Sequence, residues 1–134
     1  MDAAPQEAQR EMLTLVTARI RDAYLRKPFY VDGSADLVSV CRELSAAGLT
    51  QALVRDGAGK GARLGIFTTT DLRDALLRPQ PPATLAVREV VRFDVIEIDA
   101  DADLFEALWL MVRHRVHRLL VRDGTAVLGV LGQL

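Results

Sequence analysis

The chain has almost none of the residues on which small secreted folds and redox centres depend. A single cysteine, Cys41, in 134 residues rules out an internal disulfide. Nothing beside it in sequence would activate a thiol, so it reads as a small buried residue on the apolar stripe of a helix, in a reducing compartment. Long apolar runs are missing too. None approaches the ~18 residues of a membrane span, and the N-terminus MDAAPQEAQREM lacks the apolar core of a signal peptide, so the expectation is a soluble, cytoplasmic chain with no membrane partner. Charge of one sign is absent: 17 Lys+Arg stand against 18 Asp+Glu, interspersed, for a formal charge of −1. No overall field therefore favours nucleic acid, and aromatics at 5% are too few to build stacking platforms.

What the chain does have is an internal repeat. Shifted by 67 places, Asp32–Gly57 falls on Asp99–Gly124 with nine of 26 positions identical, which marks two copies of one structural unit. ADLVSVCREL and ADLFEALWLM begin alike. Leu37, Val40, Cys41 and Leu44 recur as Leu104, Ala107, Leu108 and Met111, the i, i+3, i+4, i+7 spacing of one apolar helix face. Ser34 and Asp101 stand just before these helices as expected N-caps. LVRDG ends an apolar strand in both copies, and ARLGIF and AVLGVL start the next strand after hairpin loops that differ by three residues. Further strands are expected at PFYVD and DVIEID, and a helix from about Asp71 to Leu77. Residues 6–25 read as a helix with Met12, Leu15, Val16 and Ile20 on one side. The expected segments are an N-terminal helical extension (1–15), repeat 1 (16–78), a proline-rich linker (79–84) and repeat 2 (85–134). Each small sheet with its helix is short of core, so the copies are expected to pack about a pseudo-twofold axis with a cleft between matching strands.

Other chemistry is poorly supported. DADAD, Asp99–Asp103, has Leu104 and Leu110 where a calcium loop needs Gly and Glu. His114 and His117 are divided by an expected helix end and have no third zinc ligand in view. GAGKG, Gly57–Gly61, lacks the spacing of a P-loop and reads as a hairpin loop. RHRVHR is a short basic helix end rather than a nucleic-acid site. No Ser-His-Asp or Cys-His set is present, so the chain is not expected to be an enzyme.

The motif GIFTTTDL, Gly65–Leu72, carries the chemistry. Its T-x-x-D before a helix is a capping box by spacing, in which both side chains satisfy backbone N–H groups. It is equally a hydroxyl and a carboxylate placed to hold a vicinal diol. With the repeat, GIFTTTDL resembles a CBS-domain pair, or Bateman module, over roughly Val16–Leu134. TARIRDAYLRKPFYVD and LFEALWLMVRHRVHRLLVRDG resemble the CBS pairs of bacterial multidomain signal-transduction proteins that also carry cyclic-nucleotide-binding and nucleotidyltransferase-like domains.

The resemblance implies an α+β fold of tandem repeats and a regulatory, ligand-sensing role over neighbouring domains of a longer polypeptide. It implies an adenine nucleotide (AMP, ATP or a relative) in the cleft between repeats, with no required cofactor. Thr68 and Asp71 would contact the ribose. Phe29, Tyr30 and Val31, with Thr50, Gln51 and Ala52, would surround the base. Arg26, Lys27 and Arg73 are the candidate cations, and His117, aligned with Thr50, a further contact. The second copy departs from the pattern: Gly132 stands where Thr68 stands, and the equivalent of Asp71 would be residue 135. At most one complete T-x-x-D site is therefore expected, with repeat 2 cut before its last helix. The other reading is a structural dimerisation module without a small ligand, with Trp109 and Leu110 contributing to the interface.

Overall fold

A computed structural model describes residues 6–10, 17–23 and 25–132. Among the described residues from Tyr30 onward, the strands and α-helices in order are β1 (Tyr30–Asp32), α1 (Leu37–Ala47), β2 (Gln51–Asp56), β3 (Arg63–Thr68), α2 (Thr69–Leu76), β4 (Glu97–Asp99), α3 (Leu104–His114), β5 (Arg118–Asp123) and β6 (Ala126–Gly132). They form two three-stranded sheets, β1-β2-β3 and β4-β5-β6. In each, the first pair is parallel and joined across a helix, and the second pair is an antiparallel hairpin. The expected α+β class and the repeated strand, helix, strand, strand order are both present.

The 67-residue periodicity holds at the level of register. Gln51 pairs with Thr68, and its counterpart Arg118 pairs with Gly132. A register shift between Val121 and Arg122 in the β5–β6 ladder accompanies the shorter second hairpin. The helices bury most of the stripes their spacing marked, but Leu108 is 45% exposed. Leu37, Val40 and Leu44 are buried in α1, and Ala107 and Met111 in α3, each fully buried Leu, Val or Met contributing about 1.5–3 kcal/mol. Cys41 is half-buried rather than buried, because it sits at the edge of that stripe.

Two local expectations are corrected. Ser34 and Asp101 do not cap the helices. Asp36 and Asp103 do, their carboxylates accepting from the Ser39 and Glu106 backbone N–H at 2.9 and 2.8 Å. Ser34 and Asp101 are taken two residues earlier, their N–H groups each donating at 2.8 Å to Asp32 and Asp99 in turns that precede the helix. Each carboxylate of DADAD thus has a task without calcium: Asp99 closes the turn, Asp101 meets Arg21 at 2.7 Å, and Asp103 caps α3. The hydrogen bonds from Ser34 and Ser39 hold the Asp32 and Asp36 carboxyls below the usual carboxylate range.

The second correction concerns residues 6–25. Residues 6–10 and Thr17 are helical, and Met12, Leu15 and Val16 lie outside the described residues. From Arg19 onward the described chain leaves the helix and turns once in a 3-10 segment at Ile20–Asp22, with extended backbone at Ala23. Tertiary pairing overrides the helical pattern here: Ile20 and Arg21 donate their N–H groups at 2.9 Å to Ala102 and Ala100.

That pairing has a counterpart 67 residues on. Val87 and Arg88 donate to Ala35 and Gly33 at 2.8 and 3.0 Å. The chain accordingly divides into two compact units, residues 28–95 and residues up to Lys27 together with Ile96 onward. In the first unit the core of Val31, Leu37, Val40, Val54 and Phe67 is closed by Leu85, Val87 and Val91 from the segment before β4. In the second, Ile98, Ala107, Met111, Leu119 and Val121 are closed by Ile20 from the segment before β1. The arginines of these segments repeat as well. Arg88 reaches Asp56 at 3.5 Å, and Arg21 reaches Asp123 at the same distance.

Candidate functional site

GIFTTTDL forms the end of β3 and the start of α2. Thr68 is the last strand residue, with extended backbone (φ −132°, ψ 173°), and α2 begins at Thr69. The Asp71 carboxylate folds back so that its Oδ2 accepts from the Thr68 N–H at 2.9 Å and from the Thr68 hydroxyl at 3.2 Å. The capping-box reading is thus realised by geometry. Both bonds from Thr68 fall on a single carboxylate oxygen, Oδ2. Both residues are part-buried, which places the pair at the sheet end rather than in the core.

The ladder decides which other candidates stand near this pair. Gln51 is the Cα partner of Thr68, and Ala52 that of Phe67. β1 runs parallel to β2, with Tyr30 opposite Leu53 and the Leu53 N–H donating to the Phe29 carbonyl at 2.8 Å. The start of β1, the start of β2 and the end of β3 therefore share one edge of the sheet, and Phe29, Gln51 and Thr68 lie along it. Val31 and Ala52 are buried at 5% and 2% exposure, so only their backbone is open to a ligand. Tyr30 stacks beneath the Arg55 guanidinium, 4.4 Å from the ring centroid. Arg55 is four residues along β2 from Gln51, a separation of about 13 Å.

Arg26, Lys27 and His117 belong to the other compact unit. Arg73 is on α2 with its side chain 73% exposed and 3.6 Å from Asp74. Thr50 lines a groove of about 290 Å³ on the first unit, between α1 and α2, with Cys41, Leu44, Phe67, Thr69 and Leu72 among its walls. Thr69, the first residue of α2, is thus also a wall of this groove. Burial pushes the Cys41 thiol pKa up, consistent with an unactivated thiol.

The second unit repeats this groove at about 240 Å³, lined by Leu108, Met111, Val112, Arg115, Val116 and His117. Four of these, Leu108, Met111, Val116 and His117, are the 67-shifted counterparts of Cys41, Leu44, Leu49 and Thr50. At the strand end Gly132 occupies the position of Thr68, without a hydroxyl or a following carboxylate. Among the described residues no group of His, Cys, Asp and Glu is arranged to hold a metal, and no helix is long and apolar enough to cross a membrane.

Comparison with known proteins agrees with this geometry. Residues 87–133 match the family model of the CBS domain. No curated protein matches the chain. Among solved structures, the CBS domain of a CBS-domain-containing membrane protein from Sphaerobacter thermophilus is similar at 21% identity and TM-score 0.73, covering 96% of this chain and 93% of that one. A CBS domain protein from Pyrobaculum aerophilum complexed with AMP is similar at 18% identity and TM-score 0.70, covering 85% and 86%. A hexameric CBS-CP12 protein from bloom-forming cyanobacteria is similar at 18% identity and TM-score 0.76, covering 87% and 67%. Residues 87–133 are thus matched as a CBS domain, and the fold across the described residues is that of tandem CBS-repeat structures.

Proposed function

We propose that this chain is a regulatory module that senses an adenine nucleotide, bound at the end of the first sheet by the Thr68–Asp71 pair. The observation that carries the reading is the carboxylate of Asp71, fixed 2.9 and 3.2 Å from the backbone and hydroxyl of Thr68. An acceptor already held in place loses little freedom on meeting a ribose diol. Gln51, beside Thr68 in the ladder, and the backbone of Phe29 to Val31 and of Thr50 to Ala52 supply edges for the base. The N–H groups at the start of α2 suit phosphate, with Arg73 the nearest cation on the same helix. The AMP complex of the Pyrobaculum protein supports an adenine nucleotide as the class of ligand.

The role is regulatory rather than catalytic: ligand shifts a conformational equilibrium by its differential affinity, and the response lies in neighbouring domains of a longer, multidomain bacterial polypeptide. Thermal unfolding with a panel of adenine and guanine nucleotides tests this. AMP or ATP at a hundredfold excess over its dissociation constant stabilises the fold by ~2.7 kcal/mol and raises the midpoint. No shift across the panel contradicts the proposal.

A second reading rests on α3. Besides its buried face, this helix exposes Phe105, Leu108, Trp109 and Val112 at 49%, 45%, 49% and 71%, a second apolar stripe at helical spacing. Such a stripe suits an interface between copies, in line with the hexameric neighbour. Sedimentation at micromolar concentration reads this directly: the dimerisation reading expects a dimer that Trp109→Glu dissociates, and a monomeric parent chain contradicts it.

A further inference from the structure

The segment Arg19–Arg26 precedes β1 in sequence, yet beyond its own local turn its backbone bonds go to the second unit. Ile20 and Arg21 donate to the carbonyls of Ala102 and Ala100 at 2.9 Å, in the turn that leads into α3. Arg26 and Val130 exchange two bonds of 3.2 Å at β6. Ile20 is fully buried in the second core. Arg21 bridges Asp101 at 2.7 Å and Asp123 at 3.5 Å with its side chain 38% exposed. Gly129 makes room for the segment: a Cβ there would lie 2.5 Å from the Arg26 carbonyl oxygen.

Its counterpart before β4 performs the same service for the first unit, through Leu85, Val87 and Arg88. The two differ in how the chain holds them. The later segment lies within the continuous stretch 28–95 that makes up the first unit. Arg19–Arg26 joins that unit only on one side, through Lys27 and Pro28, since the Phe29 carbonyl already accepts from Leu53. On its other side stands Thr17, which is helical.

We propose that Arg19–Arg26 is a strap that carries the state of the chain preceding it into the second unit and not into the first. Seated, it holds the Ala100–Ala102 turn before α3 and the edge of β6. Released, it uncovers the Ile20 pocket and loosens both. It contributes no strand to the sheet, and among its described residues Ile20 is the one fully buried side chain, with Leu25 partly buried against the same core and Arg21 partly exposed, which places it among segments that open below the free energy of global unfolding.

Amide hydrogen exchange on the full chain tests the strap. In Ile20→Ala, exchange at Arg21, Arg26 and Val130 is expected to quicken by about tenfold or more, and in Arg21→Ala by a smaller factor, while Leu37, Leu53 and Val87 in the first unit stay within about twofold. Removing residues 1–17 is expected to alter exchange at Ala100 and Ala102 by more than about twofold and again to spare the first unit. Unchanged strap amides in Arg21→Ala, which leaves the core intact, overturn the proposal. So does acceleration of the first unit by as much as the second, or a shortened chain in which neither unit responds.

Discussion

Phe67→Ala is expected to lower the stability of the first unit by about 3–5 kcal/mol, the range for removing a fully buried aromatic side chain. Phe67 is 2% exposed and packs in the core with Val31, Leu37, Val40 and Val54. Its partner across the ladder is Ala52, which has no side chain long enough to fill the space left behind. The cavity therefore persists, and the cost belongs at the upper end. Phe67 is also a wall of the groove beside Thr50 and immediately precedes Thr68, so loss of order there reaches the candidate site. Urea unfolding followed by tryptophan-independent circular dichroism reads the midpoint. A loss below about 1 kcal/mol would mean that the first core re-closes around the cavity, against the packing described here.

Gly65→Ala is expected to cost about 1–3 kcal/mol although it adds a single methyl group. A Cβ at this position lies 2.7 Å from the Arg92 carbonyl oxygen, 3.2 Å from Val91 and 3.3 Å from Phe93. The nearest atom is backbone, so the segment that closes the first core must move. Val87 and Val91 in that segment are 0% and 9% exposed, and displacing them uncovers apolar surface as well. The same urea midpoint checks it. Full stability in Gly65→Ala would show that the segment shifts without loss, and would remove the steric reason for glycine at this strand position.

These two sites mark what was legible in the sequence and what was not. The repeat, its helix faces and its strand order follow from apolar spacing at 3.6 and 2, and the structure carries them to the level of register, with Thr68 and Gly132 in matching places. Helix starts were misread because Asp32 and Asp99 capture the Ser34 and Asp101 N–H groups before the helices begin. Local side-chain hydrogen bonds of this kind are invisible to a count of capping residues. Residues 19–25 were read as the end of a helix spanning 6–25, yet IRD at Ile20–Asp22 and VRE at Val87–Glu89 stand at the same 67-residue shift. Extending the self-comparison upstream of Asp32 would have paired them. Even so, the shift alone does not say that each segment closes the core of the other repeat, since that depends on long-range packing rather than local pattern.

At the candidate site, spacing identified Thr68 and Asp71 and left two uses open. The structure realises the cap through the bonds from Thr68 to Asp71, which fixes the geometry a ligand would meet. The cations were harder to place by sequence distance. Lys27 is only two residues from Phe29, yet it falls in the other compact unit.

The most direct measurement is calorimetric titration of AMP into the chain and into Asp71→Ala. Binding at one site on the parent chain, weakened at least about tenfold (1.4 kcal/mol) in Asp71→Ala with the fold retained by circular dichroism, is the result expected of a nucleotide held by the Thr68–Asp71 pair. Equal affinity in the two proteins, or no binding to either, contradicts it and leaves Asp71 as the cap of α2.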